Sequence, residues 1–303
     1  MNKLFNHMVV LDTQQFIFPY CNCLYIEDEI SCVIDSSPAP EEMEYLKDKR
    51  LDLIINSHGH FDHVSRNPDF KNVTILMHPA DHPLVASGEA YLDSYGFSLF
   101  PDDIVRSLYL QGINYRSRPA DGCIGGGDKI ELGRTSFEVV HLPGHTAGHC
   151  GFLFPDLGLM FTADIDLDSF GPWYGNVDAN LDDLLASIEL VKRISPEILV
   201  TGHGPSPVTE NISNRLDKYR DRVLKREEEI IQLLYRGKKT VREIASEKPI
   251  YRRFPEPQRV FLLYECMMDL KHLDRLERLG KVIREKDQYC LIDGIRPSNL
   301  NLG

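Results

Sequence analysis

Residues Ser57–His63 read SHGHFDH, which places three histidines and one aspartate within six positions. The apolar segment Leu51–Asn56 precedes them and predicts a short buried strand, so the histidines lie on the loop that leaves its C-terminal end. Open α/β sheets carry their chemistry at this edge. Imidazole and carboxylate groups are ligands for zinc, iron or manganese, and Gly59 allows a tight loop. Four ligands exceed what one catalytic ion with an open position needs, so the motif indicates two ions.

Three further candidate ligands follow apolar segments downstream. His145 lies within HLPGHTAGH, residues 141–149, after the strand-like segment Ser136–Val140. Asp164 and His203 each end an apolar segment of their own. Each predicted strand therefore delivers one ligand at its C-terminal edge, where the first motif also lies.

In this order the motifs resemble those of the metallo-β-lactamase superfamily: HxHxDH, a histidine in a Pro-Gly-His turn, a bridging aspartate and a late Gly-His. The resemblance implies an α/β fold, the four-layer αβ/βα sandwich of that superfamily. It also implies two divalent metal ions, for which zinc is the first expectation and iron or manganese the alternatives. One ion would be held by His58, His60 and His145, the other by Asp62, His63 and His203, with Asp164 bridging both.

The remaining histidines do not match ligand positions, and we expect structural roles for His7, His78, His82, His141, His149 and His272. His149 is the closest of them to a motif and would orient a ligand from outside the metal site. The seven cysteines are odd in number and contain no CxxC pair, which is not the pattern of a disulfide framework. Most of them are expected to be buried thiols, and Cys150, five positions after His145, is the exception that is close enough in sequence to approach the site.

Composition agrees with a globular enzyme. A chain of 303 residues with 42% hydrophobic content can bury one large core and carry a smaller second unit. No stretch reaches the roughly eighteen consecutive apolar residues that span a bilayer. The N-terminal residues Met1–His7 lack the apolar region and cleavage site of a secretory signal. We therefore expect a cytoplasmic protein without membrane contact.

Charge divides the chain after the last candidate ligand. Residues 1–207 carry 13 Lys and Arg against 30 Asp and Glu, a net −17, whereas residues 208–303 carry 21 against 16, a net +5. The segment Gly204–Pro207 reads GPSP at this point and is typical of a turn between units. We therefore predict a catalytic domain at residues 1–207 and a second domain at residues 208–303.

A long segment, Pro79–Cys123, separates the first two motifs of the catalytic domain and holds six aromatic residues. It is the candidate for a substrate-facing lid, although packing against the sheet explains these aromatic residues equally well. Earlier in the domain, Met8–Ser36 predicts paired strands with a hairpin at Glu27–Glu29. Gly125–Asp128 lacks the lysine and following helix of a phosphate loop, so it predicts a turn.

The second domain is predicted to contain three helices, at residues 210–235, 241–246 and 258–279, and a hairpin around residues 285–287. Thr240 is the expected cap of the second helix. This order resembles the winged-helix-like C-terminal domain of lactamase-like endoribonucleases.

Nucleic acid is one candidate partner of this domain, and Arg252, Arg253, Lys238 and Lys239 are the candidates for anion contacts. The net charge of +5 is modest, and the neighbouring −17 repels phosphates, so we favour a structural cap or a homodimerisation element. Apolar positions such as Phe261 and Met267 fit either a dimer interface or the core, and we favour the core.

The ligand set predicts a hydrolase of a small-molecule substrate. Two cations close together lower the pKa of a bridging water to near neutrality and polarise the bond under attack. The metal-bridging hydroxide would then attack an ester, thioester or lactone carbonyl. Asp62 is the expected catalytic residue, because it binds the second ion and also holds the proton of the hydroxide.

Other functions remain open at this point. A phosphodiesterase or nuclease is the first alternative, because of the C-terminal domain. A mononuclear iron dioxygenase resembling the persulfide dioxygenases is the second, although it leaves Asp62, His63 and His203 unused. A non-catalytic regulator does not call for a complete ligand set. Thioester hydrolysis of the glyoxalase II type fits the motifs but not the C-terminal domain, and β-lactam hydrolysis is disfavoured because those enzymes work outside the cytoplasm.

Overall fold

Two β-sheets packed face to face form the centre of the computed structural model, which describes residues 1–297. The first sheet has seven strands in the order β1 to β7: β1 Asn2–Phe5, β2 Met8–Leu11, β3 Cys23–Ile26, β4 Cys32–Ile34, β5 Leu53–Ile55, β6 Thr74–Met77 and β7 Gly122–Cys123. Strands β1 to β4 pair antiparallel, whereas β4 to β7 pair parallel.

The second sheet has five strands in the order β12-β11-β10-β9-β8: β8 Lys129–Glu131, β9 Ser136–His141, β10 Cys150–Phe154, β11 Leu159–Ala163 and β12 Ile198–Thr201. Only the pair β11 and β12 runs parallel in this sheet. Apolar side chains of both sheets, such as Ile26, Ile55, Phe137 and Phe161, meet in one buried core between them.

Nine helices accompany the sheets within residues 1–297: α1 Pro40–Lys47, α2 Phe61–Val64, α3 His82–Ala86, α4 Gly88–Ser94, α5 Asp103–Ile113, α6 Leu181–Ile194, α7 Ile212–Tyr235, α8 Val241–Ser246 and α9 Gln258–Arg278. Helix α1 covers the outer face of the first sheet through Met43 and Leu46. Helices α6 and α7 cover the outer face of the second sheet. The predicted four-layer αβ/βα sandwich is therefore confirmed.

The turn that carries the second motif packs tightly against α6. Gly144 has a φ of +123°, and a Cβ built there would lie 2.2 Å from the main-chain nitrogen of Leu184. Only glycine fits this combination of conformation and close approach. Asn180 caps α6 by accepting hydrogen bonds from the main-chain N–H groups of Asp182 and Asp183, which fixes the start of the helix next to this turn.

The C-terminal region contains α7, α8 and α9 with a third sheet in the order β13-β15-β14, made of β13 Lys239–Thr240, β14 Val282–Glu285 and β15 Gln288–Leu291. The predicted helices and hairpin are present, with α7 starting at Ile212 and α9 ending at Arg278. Thr240 caps α8 in a reciprocal capping box with Glu243, as expected. Residues 298–303 of the predicted second domain lie outside the described residues.

Helix α7 takes part in two cores. Its first half contributes Leu216, Tyr219 and Val223 to the core that includes α6, and its second half contributes Ile230 and Leu234 to the core formed with the hairpin β14–β15. The domain boundary after residue 207 stays a prediction, and the two regions are joined by continuous packing.

The aromatic residues of the segment between the first two motifs pack against α9. Tyr91, Tyr95 and Phe97 share a buried cluster with Leu263 and Met267 of α9. Gly96, with a φ of +82°, permits this contact, because a Cβ there would lie 2.2 Å from Sδ of Met267.

Candidate metal centre

The seven predicted ligands meet as two groups of donor atoms at the ends of the strands. His58, His60, His145 and Asp164 form the first group, in which all donor atoms lie within 4.8 Å of one another. Asp62, His63 and His203 form the second group, with the same property. Asp164 links the groups, because its Oδ1 lies 2.9 Å from Nε2 of His63 and its Oδ2 lies 3.2 Å from Nε2 of His145.

Each donor lies where the sequence motifs predict it. His58 and His60 occupy the loop after β5, and α2 begins directly behind them, so Asp62 and His63 lie on its first turn. His145 lies between β9 and β10, Asp164 directly follows β11, and His203 follows β12. The side chains of Asp62 and Asp164 are 11% and 12% exposed, so both carboxyl groups keep some contact with solvent.

The geometry fits a cation of the transition-metal type. Nε2 of His145 lies 2.8 Å from Nδ1 of His60 and 3.2 Å from Nε2 of His58. Lone pairs of neutral imidazoles that converge so closely repel each other unless a proton or a metal ion lies between them. Nitrogen donors together with a shared carboxylate suit zinc, iron or manganese. The first group therefore has the donor chemistry of a metal site.

The pKa values of His58, His60 and Asp164 are shifted in the direction that metal binding requires. Burial lowers the pKa of His58 and of His60 well below the usual value, and the neighbouring histidines add to the effect, which keeps both imidazoles neutral. For Asp164, burial raises the pKa, but electrostatic attraction to the neighbouring imidazoles of His63, His145 and His203 outweighs it and holds the pKa well below normal. Asp164 is therefore a carboxylate.

Hydrogen bonds on the far side of the imidazoles fix their orientation. Nδ1 of His63 donates to Asp35 at 2.8 Å, Nδ1 of His145 donates to the carbonyl oxygen of Trp173 at 2.8 Å, and Nδ1 of His58 lies 3.0 Å from Oγ of Ser57. Such partners select the tautomer that presents the other nitrogen to a metal.

His149 and Cys150 lie close to the centre but outside both groups. His149 donates from Nδ1 to the carbonyl oxygen of Leu142 at 2.9 Å and accepts at Nε2 from the main-chain N–H of Asp164 at 3.2 Å. This is the predicted orienting role. The thiol of Cys150 is buried and donates to the carbonyl oxygen of Gly148 at 3.3 Å, so it is not among the donor atoms of either group.

Several supporting residues had no signal in the sequence. Asp81, buried before α3, accepts from the main-chain N–H groups of Gly59 and Gly148 at 2.8 and 2.6 Å and from Oγ1 of Thr146 at 2.7 Å. It thereby joins the loops of the first two motifs. The thiol of Cys21 is buried next to Asp35 and His63, and burial raises its pKa well above normal. An isolated Asp or Cys has no spacing that marks such a role.

The predicted anion contacts of the C-terminal region are partly engaged in ion pairs. Arg252 pairs with Glu229 and Lys238 pairs with Glu285. Within residues 1–297, none of the helices combines the length and the apolar character that are needed to cross a bilayer.

Comparisons with known proteins agree with the geometry. The profile of the metallo-beta-lactamase superfamily matches residues 17–203. A probable metallo-hydrolase of Bacillus subtilis is 27% identical over 172 residues, which cover 54% of this chain and 74% of that protein. A hydroxyacylglutathione hydrolase of Haemophilus influenzae is 26% identical over 193 residues, covering 61% of this chain and 84% of that protein.

Among solved structures, a metallo-beta-lactamase family protein from Thermus thermophilus superposes with a TM-score of 0.77 at 20% identity, and the match covers 96% of this chain and 100% of that chain. This likeness supports the fold over nearly the whole length. The αβ/βα sandwich and the cluster of metal-binding donor atoms together define a metal-dependent hydrolase. The chain belongs to the metallo-β-lactamase superfamily, whose profile spans more than half of its residues.

Proposed function

We propose that the protein is a dinuclear hydrolase that cleaves an ester, thioester or lactone carbonyl in a small molecule. The observation that carries the proposal is the pair of complete donor groups that share Asp164. A site for one ion needs only the first group. The three buried donors of the second group, Asp62, His63 and His203, are explained when a second ion is bound.

His58, His60 and His145 would hold one ion and Asp62, His63 and His203 the other, with Asp164 between them; we propose zinc, with iron or manganese as alternatives. When bound, two such ions would supply a water with a near-neutral pKa as the nucleophile and a Lewis acid for the carbonyl oxygen. Asp62, whose Oδ2 lies 3.4 Å from Nε2 of His203 and whose side chain is 11% exposed, would accept the proton of that water. His149 and Trp173 keep Asp164 and His145 aligned during turnover.

Electrostatics favour a carbonyl substrate over a phosphodiester. Among the hydrogen bonds and ion pairs of the seven ligand residues in the described chain, none involves a lysine or arginine. The catalytic region also carries a net charge of −17. Phosphoryl transfer enzymes commonly add arginine or lysine to their metals, because the transition state carries more negative charge. The hydroxyacylglutathione hydrolase among the relatives supports a thioester as one member of the class.

Helix α9 offers little surface to a nucleic acid. Its buried residues belong to three different cores: Met268 packs towards α6, Leu263 and Met267 towards α4, and Leu273 towards α7. A helix that reads a nucleic-acid groove needs an exposed face. This arrangement supports a structural role of the C-terminal region.

Elemental analysis of protein purified without added metal tests the proposal, together with turnover of thioester, lactone and phosphodiester substrates. We expect two metal ions per chain in the parent, about one in His203→Ala, and loss of metal and activity with a retained fold in Asp164→Ala and in His58→Ala. His82→Ala is the matched control, because His82 lies outside both groups, and it should keep two ions. A single iron with oxygen uptake, or full activity in Asp164→Ala, would overturn the assignment.

A further inference from the structure

A continuous row of aromatic rings leads away from the first group of ligands. The ring centroid of Trp173 lies 5.3 Å from that of His60, and the next contacts are Trp173 to Tyr264 at 5.5 Å and Tyr264 to Phe261 at 5.8 Å. Tyr251 continues the row at 5.4 Å from Phe261. These four side chains, Trp173, Tyr264, Phe261 and Tyr251, are half-buried, and we call them the aromatic wall.

The polar atoms of the wall are used within the protein. Nε1 of Trp173 donates to the hydroxyl of Tyr251 at 2.9 Å, and the hydroxyl of Tyr264 pairs with that of Tyr109 at 2.5 Å. Because these polar atoms form hydrogen bonds within the protein, the wall presents mainly the surfaces of its aromatic rings to a ligand. Aromatic rings bind apolar groups and other rings with a large contact area.

A second apolar surface flanks the other group of ligands. Phe16, Ile17 and Phe18, in the connection from β2 to β3, are 58%, 39% and 43% exposed. The ring of Phe16 lies 4.8 Å from that of His203, and Phe18 lies 6.3 Å from Phe61. Three consecutive exposed apolar side chains beside a buried ligand are unfavourable in water, and a bound apolar group would remove that surface from solvent.

Arg226, the cation that holds the loop of Trp173, is not available to a ligand. Arg226 is 4% exposed and donates from Nη1 to the carbonyl oxygen of Pro172 at 2.6 Å and from Nη2 to that of Phe170. A charged ligand group on the wall would therefore be desolvated without gaining the guanidinium as a partner.

We propose that the aromatic wall, together with the segment Phe16–Phe18, binds a large uncharged apolar group attached to the scissile carbonyl or to its leaving group. Phe261 and Tyr264 belong to α9, so the C-terminal region supplies part of the substrate site. The assignment of this group to a carbonyl substrate rests on the proposed function, whereas the apolar subsite does not.

Trp173 is the single tryptophan of the chain, so its fluorescence reports binding at the wall without any turnover. The probes are product-like acids, 4-phenylbutyrate against acetate, and product-like alcohols, 2-phenylethanol against ethanol, added to the metal-loaded enzyme. We expect the phenyl member of at least one pair to change the signal at a concentration at least about 10-fold lower than its small partner. Equal affinities within both pairs would overturn the proposal.

Phe261→Ala tests the contribution of α9. It should weaken binding of the preferred phenyl probe about 10-fold, whereas Phe261→Leu, which keeps an apolar side chain, should lose less. Ile283→Ala is the matched control, because Ile283 is an exposed apolar residue of β14, 42% exposed, and it should bind as the parent does. Thermal unfolding and metal content verify that each variant is folded and loaded. Unchanged binding in folded Phe261→Ala would contradict the role of α9.

Two ester series separate this proposal from the proposed reaction. One enlarges the acyl group from acetyl to phenylbutyryl with a fixed leaving group, and the other enlarges the alcohol with a fixed acetyl group. We expect kcat/KM to rise at least about 10-fold along one series and the rise to shrink in Phe261→Ala. Equal kcat/KM values along both series would contradict the apolar subsite but would still be consistent with the proposed hydrolase reaction. If fluorescence shows that the phenyl probes bind but no carbonyl substrate is turned over, the proposed reaction is contradicted and the apolar subsite is retained.

Discussion

Nδ1 of His145 donates a hydrogen bond to the carbonyl oxygen of Trp173 at 2.8 Å, so this proposed metal ligand is oriented by the loop that also supplies Trp173 of the aromatic wall. That loop is held in turn by α7. Arg226 binds the carbonyl oxygens of Phe170 and Pro172, and Tyr219 donates its hydroxyl to the carbonyl oxygen of Asp164 at 2.9 Å. Tyr219 and Arg226 are two helical turns apart and share one face of α7. The C-terminal region therefore supports the metal centre directly.

Arg226→Ala should weaken metal binding although Arg226 touches no ligand. Without its hydrogen bonds the loop at residues 170–174 loses its anchor, and the carbonyl oxygen of Trp173 no longer fixes His145. Loss of such a supporting partner typically lowers metal affinity about 10–100-fold. Competition with a chromophoric chelator measures the affinity of the first ion.

Arg220→Ala provides the control for this prediction, because Arg220 lies on the same helix but forms only surface pairs with Glu189, Asp217 and Asp221. Tyr219→Phe is a milder second variant that removes one hydroxyl and should shift the affinity in the same direction. Parent-like affinity in folded Arg226→Ala and Tyr219→Phe would show that α7 does not position the ligands.

Asp81→Ala should reduce both stability and activity. The variant leaves two main-chain N–H groups and the hydroxyl of Thr146 buried without an acceptor. Each unsatisfied buried group costs about 1–3 kcal/mol, so the free energy of unfolding should fall by several kcal/mol. Urea unfolding of the metal-free protein measures the loss, and Asp69→Ala, which removes surface pairs only, serves as the control. A variant as stable as the parent would contradict the role assigned to Asp81.

The sequence predicted what local chemistry dictates. The ligands His58 to His203 lie next to short apolar strands, and parallel or mixed sheets bring strand ends to one edge, so their convergence could be expected before any coordinates. The roles of Asp81, Tyr219 and Arg226 could not be expected. Each acts through a main-chain group that is distant in sequence, such as the carbonyl oxygen of Pro172, 54 residues from Arg226. Main-chain donors and acceptors are the same in nearly every residue, so they leave no pattern in the sequence.

The packing of the aromatic segment was undetermined for a related reason. Tyr91, Tyr95 and Phe97 are apolar enough to cover a sheet or another helix, and their spacing does not distinguish the two. In the structure these aromatic residues pack against α9. The buried residues of α9 lie all around the helix instead of forming one stripe. The sequence pattern of such a helix predicts burial on several sides, but it does not indicate which elements pack against each side.

Metal removal should lower the thermal stability of the parent. An ion that binds only the folded chain adds a stabilisation of about 2.7 kcal/mol at a free concentration 100 times its Kd. Calorimetry with a chelator should therefore show a reduced Tm that recovers when zinc is added back. Asp164→Ala, which loses the shared ligand, should show no shift with the chelator. The same decrease of Tm in the parent and in Asp164→Ala would mean that the stabilising metal binds at a different site.

Asp28 should determine how the free energy of unfolding changes with pH in acidic solution. Its buried carboxylate, at the turn after β3, accepts hydrogen bonds from the main-chain N–H groups of Arg134, Thr135 and Glu29, and so ties the first sheet to the turn between β8 and β9. Burial raises the pKa of Asp28, but the hydrogen bonds from Thr135, Arg134 and Glu29 outweigh it and lower the pKa below its usual value.

Because the folded chain favours the ionised form, Asp28 contributes stability above the unfolded pKa of about 3.9, and this contribution is lost as the pH falls through the folded pKa. Asp28→Asn should therefore lower the free energy of unfolding by about 1–2 kcal/mol at pH 7, and the difference from the parent should shrink in more acidic solution, below about pH 4. Urea unfolding of the metal-free proteins across this range measures both effects, and the absence of metal keeps the release of ligand-bound ions out of the comparison. A difference that stays constant across the range would show that the carboxylate charge of Asp28 does not stabilise the junction of the two sheets.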